Sequence, residues 1–480
     1  MQGHSSRGRP AAVEVGSAAI RRHLGANTPA PLAVCPLPSP SRVTCKHRLR
    51  MSAAKKQTTE EGSSLTGAAV IGQSGGPTVV INQSLVGFVT EALKHDNITR
   101  VLGMRHGIKG LLAEDLIDLG KETAENLAAV AKVPAAALGS VRMKPTKEDF
   151  AKMIPVLKKF DIKFFFYIGG NDSAETAHIV NESAAEQGYE MKCFHIPKTI
   201  DNDLRVTDHC PGYASAARFV AVSLQIPRRL RTCACLSRLP IWHMPCYPWY
   251  AECFLPCTCC VAATQHGFQG DDRDLRAMGG IKINICMGRD AGWLTAASTL
   301  GRREGSDDGP HLVYVPEVDF DPEEFVASID AVHKRLGRCL VAVSEGIHDS
   351  NGELFLVAYA KQAGSNIAGM KDSHGNVSLG GTGVLGDALA GLVKEKLGNV
   401  RCRADTYGFL QRGFPADTSS VDAAEAAMVG AKAAAAAAGS EHSSGSIAIE
   451  RIEGPEVSSE HSRTNTRPLS EHNGLSSAAH

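Results

Sequence analysis

Neither sign of charge prevails in this sequence: Lys plus Arg and Asp plus Glu number 51 each. That balance excludes nucleic acid and anionic membrane surfaces as partners recognised through bulk charge, so any anion the protein binds must be held locally. Long apolar runs are missing too. A spanning helix needs ~20 uninterrupted apolar residues, and the nearest approach, residues 249–263, is broken by Glu252 and Pro256. The chain reads as a soluble protein without a membrane partner. Acids are nearly absent from residues 1–58, where Glu14 stands alone against ten Lys and Arg. An Arg-rich, Ser-rich, acid-poor start has the composition of an organelle transit peptide. A disordered leader fits the same composition, and Met51 offers a second start site.

What is present suits a globular protein. An apolar share of 43% over 480 residues supports a buried core and two or three domains. Fourteen cysteines would mean a disulfide scaffold only in a short secreted chain. Here seven of them crowd between Cys233 and Cys260 and the rest are scattered singly, as thiols in a reducing compartment are.

From Gly67 onward short β-type runs alternate with helix-like segments: GAAVIG, FFFYIGG, KCFHIP, GIKINICMG, HLVYVPEV and CLVAVSEG. Strands that are apolar throughout and alternate with helices imply parallel sheets covered on both faces, an α/β protein. Ligands of such sheets bind beyond the carboxyl ends of the strands. Residues 226–269 break the pattern with seven Cys, five Pro, two Trp and a single acid. The CxxC spacing of Cys257 and Cys260 suggests a zinc module; an insertion foreign to the folded core, even translated non-coding sequence, is the other reading. After Gly430 come an alanine run, the strand-like GSIAIERI, and a polar tail from about Pro455 that reads as disordered.

The strand ends carry chemistry suited to phosphate. GAAVIGQSGGPTVVINQ reads as strand, Gly75-Gly76 turn and helix, with Leu85, Val89 and Leu93 on one helix face. Glycines admit a ligand close to the backbone, and a helix start offers free N–H groups, although the stretch holds neither GK[ST] nor GxGxxG and a plain βα turn also explains it. YIGGNDS repeats the device at Gly170 with Asn171 and Asp172, able to reach a metal–phosphate complex or to form an Asx turn. FHIPKTIDND then sets Lys198, Thr199, Asp201 and Asp203 just past a strand. A lysine and a hydroxyl cradle a transferring phosphoryl group while an acid takes the proton of the attacking alcohol. In an extended segment Asp201 and Asp203 would point to one side. Further on, Met287, Gly288 and Arg289 of MGRDAGW, Glu345 of VSEG, and Arg403 and Arg412 of RADTYGFLQRG each read singly as surface charge as readily as function, but together they offer cations for anions at both ends of a substrate and a carboxylate for a sugar hydroxyl.

Taken in order, GQSGGPTVVIN, GSVRMK, IGGNDS, PKTIDND, MGRDAGW, PEVDF, VSEG and YGFLQRGFP resemble the phosphofructokinase family, and more closely its pyrophosphate-dependent branch. The resemblance runs from about Gly67 to Ile452 outside 226–269. It implies two Rossmann-like three-layer domains with mainly parallel sheets. Residues 1–58 would be a disordered or transit-like leader, 59–225 a phosphoryl-donor domain and 226–269 the insertion. The sugar-phosphate domain would span 270–410, with 411–454 returning to the donor domain and 455–480 a tail. Implied chemistry is the glycolytic, reversible phosphorylation of fructose 6-phosphate at C1 by pyrophosphate, with Mg2+, in a cytoplasmic homo-oligomer, dimer or tetramer, some of whose arginines cross between subunits. A functional transit peptide in residues 1–50 would instead place it in a plastid or mitochondrion. ATP as donor, and a non-catalytic product disrupted by the insertion, are the alternatives. Asp201 would be the base, supported by Thr199 and Asp203. Gly75, Gly76, Arg142, Gly170, Asp172 and Lys198 would meet the donor, while Met287, Gly288, Arg289, Glu345, Arg403 and Arg412, with Thr199 and Asp201, would meet the sugar phosphate. Asn171 and Asp201 would hold the metal. Asn171 replaces the family's usual magnesium-binding Asp, and Phe409 replaces a histidine of the ATP enzymes. Asp172 and Lys198 stand where those enzymes have glycines. The carboxylate would crowd a nucleotide and the ammonium would favour a short, highly charged donor.

Overall fold

The computed structural model describes residues 47–55, 65–221, 268–303, 305–362, 383–398, 400–451 and 466–467. Both readings of the Cys-rich stretch therefore concern residues that lie, apart from the first turn of a helix at Phe268, outside those described.

Two sheets organise the chain. The first runs in the order β12-β1-β11-β6-β5-β2-β3-β4. Its members are β1 (His47–Lys55), β2 (Gly67–Gln73), β3 (Ile98–Met104), β4 (Leu116–Asp118), β5 (Ile162–Gly169), β6 (Lys192–Pro197), β11 (His442–Arg451) and β12 (Thr466–Arg467). β1 and β12, at its outer edge, fall within the stretches read from sequence as leader and tail. The second sheet, in the order β10-β7-β9-β8, comprises β7 (Gly280–Cys286), β8 (Leu312–Tyr314), β9 (Arg338–Ser344) and β10 (Cys402–Thr406), all parallel. In the first sheet β3–β4 and β1–β11 are antiparallel and the other pairings parallel. The α/β expectation holds, and all six apolar runs form strands.

Burial on both faces explains why those runs do not alternate in polarity. In β2, Ala69 and Ile71 face one core with Phe164 and Phe166 of β5, while Ala68 and Val70 face another with Phe165 and Tyr167. Neighbouring residues of a strand point to opposite faces, so a strand buried on both must be apolar at every position. The first core is closed by the helices Ile81–Ala92 and Ser420–Ala438. These helices approach so closely that a Cβ on Gly87 or Gly430 would overlap a backbone carbonyl of the other, Ala427 or Ser84. Leu85 and Val89 share the buried face of the first helix as expected, but Leu93 does not. It follows the last helical residue, Ala92, and half its surface is exposed.

Register places the functional loops. Gln73 lies opposite Ile168, and Gly169 opposite Pro197, so β2, β5 and β6 end side by side. In the second sheet Cys286 of β7 lies opposite Ser344 of β9. The Gly75, Gly170, Lys198, Met287 and Glu345 loops leave these five strand ends, whereas Arg142 lies on a segment between two helices and PEVDF follows β8. No helix among the described residues is long and apolar enough to cross a membrane.

Candidate active site

Five cationic or glycine positions gather beyond β2 and β6. Gly75 adopts φ 73°, a left-handed backbone that glycine enters without steric cost. Lys198 Nζ donates to the Gly76 carbonyl at 2.8 Å and sits 3.3 Å from where a Cβ on Gly75 would lie. A Cβ on Gly76 would overlap Nη1 of Arg412 and lie 3.5 Å from Nη2 of Arg142. The turn is thus roofed by two arginines and a lysine. Burial pushes the Lys198 ammonium down to about 8, and the charges of Arg412 and Arg142 push the same way against Asp201. Arg412 is itself held below its ordinary range, by burial first and Arg142 second. Its guanidinium lies 4.1 Å from the centre of the Phe409 ring, a cation–π contact that gives this residue a role no histidine is needed for.

Gly170 precedes the helix Asn171–Glu186 as its N-cap, with Asp172 in the first turn. Asp172 is exposed, and its carbonyl accepts from Thr176 Oγ1 at 2.7 Å. A carboxylate at a helix start is favoured by the dipole. The Asn171 amide donates to Asp203 Oδ2 at 2.8 Å.

The acid pair occupies the loop after β6. Thr199 Oγ1 accepts from the Asp201 backbone N–H at 3.1 Å, holding the turn. The segment is not extended as the sequence suggested: Asn202 sits at φ 56° and its side-chain carbonyl accepts from Cys210 N–H at 2.9 Å. Asn tolerates that conformation because its short side chain bonds locally. The two acids still feel one another. Burial raises Asp201 to about 6 and the Asp203 charge adds to the rise, with Lys198 opposing. Asp203 is raised too, chiefly by burial. Among the described residues Asp201 Oδ1 is a solvent-shielded oxygen without a hydrogen-bond partner, and an orphaned buried acceptor calls for a ligand.

Across from this loop, Met287 N–H donates to Gln411 Oε1 at 3.3 Å, and Gly288 N–H to Glu345 Oε1 at 3.4 Å. Ser344 Oγ donates to the Gly288 carbonyl at 2.5 Å. Glu345 is buried and pushed up to about 7, first by burial and then by the charge of Asp201. Arg289 acts on both acids, favouring their ionised forms. The loops of the two sheets therefore share one electrostatic field. Arg403 stands apart. It is exposed on β10 and makes no hydrogen bond or ion pair with a site residue among those described.

Three residues escaped the sequence reading. Gln411 is buried between Arg412 and Leu410, and bridges Met287 N–H and the Gly408 carbonyl. It lies within YGFLQRGFP, next to Arg412. Asp290, beside Arg289, raises both Asp201 and Asp203. His195, in the middle of β6, donates from Nε2 to the Gly169 carbonyl at 2.8 Å and accepts at Nδ1 from Ser446 Oγ at 2.7 Å. Burial drives it down to about 4, so it is neutral and fixes the Gly169–Gly170 turn.

Loops from two mainly parallel α/β sheets thus bring cations and raised carboxyls together at one place. The chain belongs to the phosphofructokinase family, whose model matches residues 68–234 and 273–437. It is 45% identical over 367 residues to the pyrophosphate–fructose 6-phosphate 1-phosphotransferase of Rhodospirillum rubrum, covering 76% of this chain and 78% of that one. It is also 31% identical to a sulfofructose kinase of Alkalicoccus urumqiensis, over 76% and 78% of the two chains. Among solved structures, the pyrophosphate-dependent phosphofructokinase of Nitrosospira multiformis superposes with a TM-score of 0.59 at 30% identity, covering 78% of this chain and 76% of that one.

Proposed function

We propose that this chain is a pyrophosphate-dependent phosphotransferase that converts fructose 6-phosphate to fructose 1,6-bisphosphate and phosphate, reversibly. The observation that carries the reading is the juxtaposition of Lys198, seated on the Gly76 carbonyl, with the orphaned carboxylate of Asp201. The identity to the Rhodospirillum rubrum enzyme supports the same choice of donor and acceptor.

In this mechanism Asp201 takes the proton of the C1 hydroxyl as its oxygen attacks the near phosphorus of pyrophosphate. The bridging P–O bond breaks and inorganic phosphate leaves with the electron pair. Lys198, Arg142 and the Gly75–Gly76 and Gly170 backbone meet the charge on the donor, while Asp172 blocks the path a nucleotide would need. Thr199 and Asp203 hold the base. The sugar phosphate lies against Met287, Gly288, Arg289, Glu345 and Arg412. Arg403, exposed and apart, suits the clamp of a neighbouring subunit in a homo-oligomer. Asp201 with its unpartnered oxygen, and Asn171, would hold a Mg2+ ion weakly, since Mg2+ is ordinarily held by one or two carboxylates plus substrate phosphates. Bound there, the ion would neutralise charge on the donor. Mutual positioning and fixed charge supply the rest.

The test is a coupled assay for fructose 1,6-bisphosphate with pyrophosphate and ATP offered separately. Turnover with pyrophosphate and little with ATP is expected. Equal or better turnover with ATP would reassign the donor, and no product with either would remove the enzyme reading.

A further inference from the structure

The loop that carries Asp201 and Asp203 is held from outside by β11 and one helix, and the residues that hold it belong to no motif of the site. Residues 199–212 leave β6 and return to it through a bridge between Thr199 and Gly212. Within the loop Val206 sits at φ 71°, a costly conformation for a β-branched residue that persists only where its surroundings impose it. The middle of the loop is tied to β11: Asp208 N–H donates to the Ile449 carbonyl at 2.8 Å, and Ile449 N–H donates to Thr207 Oγ1 at 3.0 Å. Its end is tied to the helix Ser420–Ala438. His209 donates from Nε2 to Glu425 Oε2 at 2.8 Å and from Nδ1 to Asp208 Oδ1 at 2.9 Å. Donation from both ring nitrogens requires the imidazolium form. Burial works against that charge, but the bonds to Glu425 and Asp208 outweigh it and raise the group overall. One turn earlier on the same helix, the fully buried Asp422 accepts from Gly212 N–H at 2.8 Å, Ser215 N–H at 3.0 Å and Ser215 Oγ at 2.5 Å. Asp422 thereby closes the loop and caps the helix Tyr213–Ala221.

We infer that His209, Glu425 and Asp422 form a positioning clamp that sets where Asp201 stands, without touching either substrate. The inference rests on Asp201 being the base. The clamp grips the far end of the loop from a helix that also packs on the Gly75–Gly76 helix, so loop and donor turn are located by the same rigid element. The sugar-phosphate groups at the ends of β7 and β9 stand on the other sheet, where Met287 packs with Ile200 and with Tyr213, Ala216 and Ala217 of the helix that Asp422 caps, whereas His209 ties to Glu425 and Asp208.

The clamp predicts a split between chemistry and binding. His209→Ala and Asp422→Asn should lower kcat by about 10- to 100-fold, the cost of a base displaced by an ångström or so. In His209→Ala, KM and the calorimetric Kd for fructose 6-phosphate should stay within about twofold, because the ties of His209 run to Glu425 and Asp208, whereas Asp422→Asn loosens the helix on which Met287 packs and should move them more. His209→Lys, which restores one cationic donor toward Glu425, should recover part of the lost kcat, and it serves as the informative variant if the alanine form does not fold. Asp201→Asn runs alongside. If Asp201→Asn is inactive while His209→Ala and Asp422→Asn keep wild-type kcat, the clamp is refuted and the base stands. If Asp201→Asn retains turnover, the reading beneath the clamp has failed. Parallel loss of kcat and sugar-phosphate affinity in His209→Ala, with no recovery in His209→Lys, would reduce the clamp to general structural support and overturn it.

Discussion

Two acid clusters in this molecule have opposite fates. Asp201 and Asp203 lie half-buried in a loop and are both pushed toward their neutral forms, Asp201 to about 6. Asp307 and Asp308, beside β8, are pushed the other way. Asp307 falls to about 2 under the Arg338 and Arg276 guanidinia, and Asp308 is lowered by Arg303, which it accepts at 2.8 and 2.9 Å from Nε and Nη2. Sequence alone does not tell these pairs apart, since each is two acids near basic residues. What separates them is whether an arginine already occupies the carboxylate. The second cluster is satisfied within the chain. In the first, Asp201 keeps an oxygen with no partner among the described residues, the condition in which an acid is available to a ligand.

Removing the base cuts deepest. Asp201→Asn should lower turnover by about 10²- to 10⁴-fold, as loss of a general base does, while fructose 6-phosphate still binds by calorimetry. The same variant should be more stable than wild type above pH 6. A folded-state rise from the ordinary 3.8 to about 6 means the ionised carboxylate costs roughly 3 kcal/mol. That cost is fully present above about pH 6 and disappears as the pH falls toward 4, so the stability gain should vanish there. Retained turnover, or a gain that grows in acid, would place Asp201 with the satisfied cluster.

Donor choice comes next in size. Asp172→Gly with Lys198→Gly should move the ratio of kcat/KM for pyrophosphate over ATP toward ATP by about ten- to a hundredfold, the worth of a charge-assisted contact, with a lower rate overall. Lys198 is buried on the Gly76 carbonyl while Asp172 is exposed at the helix start. The single variants therefore divide the effect: Lys198→Gly should carry the loss of pyrophosphate and Asp172→Gly the gain of ATP. An unmoved ratio would mean that donor choice is set elsewhere.

How much of this was readable in the chain follows from where each signal resides. Strands buried on both faces, such as the fully buried β2 and β9, are apolar throughout and stand out. β3 opens with exposed Thr99 and Arg100, and β10 is CRADT with one buried residue, so neither shows a run. Most site loops were legible because they follow a strand end and each motif is local, while Arg142 lies on a segment between two helices. The turn at Asn202 was not, because its left-handed backbone is held by Cys210 eight residues on. Nor was the grip of Glu425 and Asp422 on the loop, since those contacts span more than 200 residues of sequence.

The pH profile sharpens the comparison with smaller effects. The free enzyme's kcat/KM should fall below about pH 6 as the Asp201–Asp203 pair gains a proton, and above about pH 8 as Lys198 loses one. Asp203→Asn removes a negative neighbour that raises Asp201, so the acid limb should move to lower pH. A limb that stays in place would mean that burial alone sets the rise.

The smallest effect belongs to the satisfied cluster. Asp308 is itself buried and accepts from Arg303 and, at 2.9 Å, from Arg276 Nη2, but the Arg303 side chain is 77% exposed. Water can replace much of what the carboxylate gives, as it does at most surface ion pairs. Asp308→Asn should therefore lower Tm by only ~1–4 °C and leave kcat and both KM values within about twofold. Its sign with pH is the reverse of that for Asp201. A depressed carboxyl stabilises the fold above its ordinary 3.8 and loses that contribution as the pH falls through its folded value, so the wild-type advantage over Asp308→Asn should be full near neutrality and shrink below about pH 4. Melting curves of both variants across this range would show one gaining and the other losing stability at neutral pH, with both approaching wild type in acid. If Asp308→Asn instead loses turnover with Tm unchanged, its carboxylate faces a ligand after all, and a partnered acid would no longer mark a purely structural one.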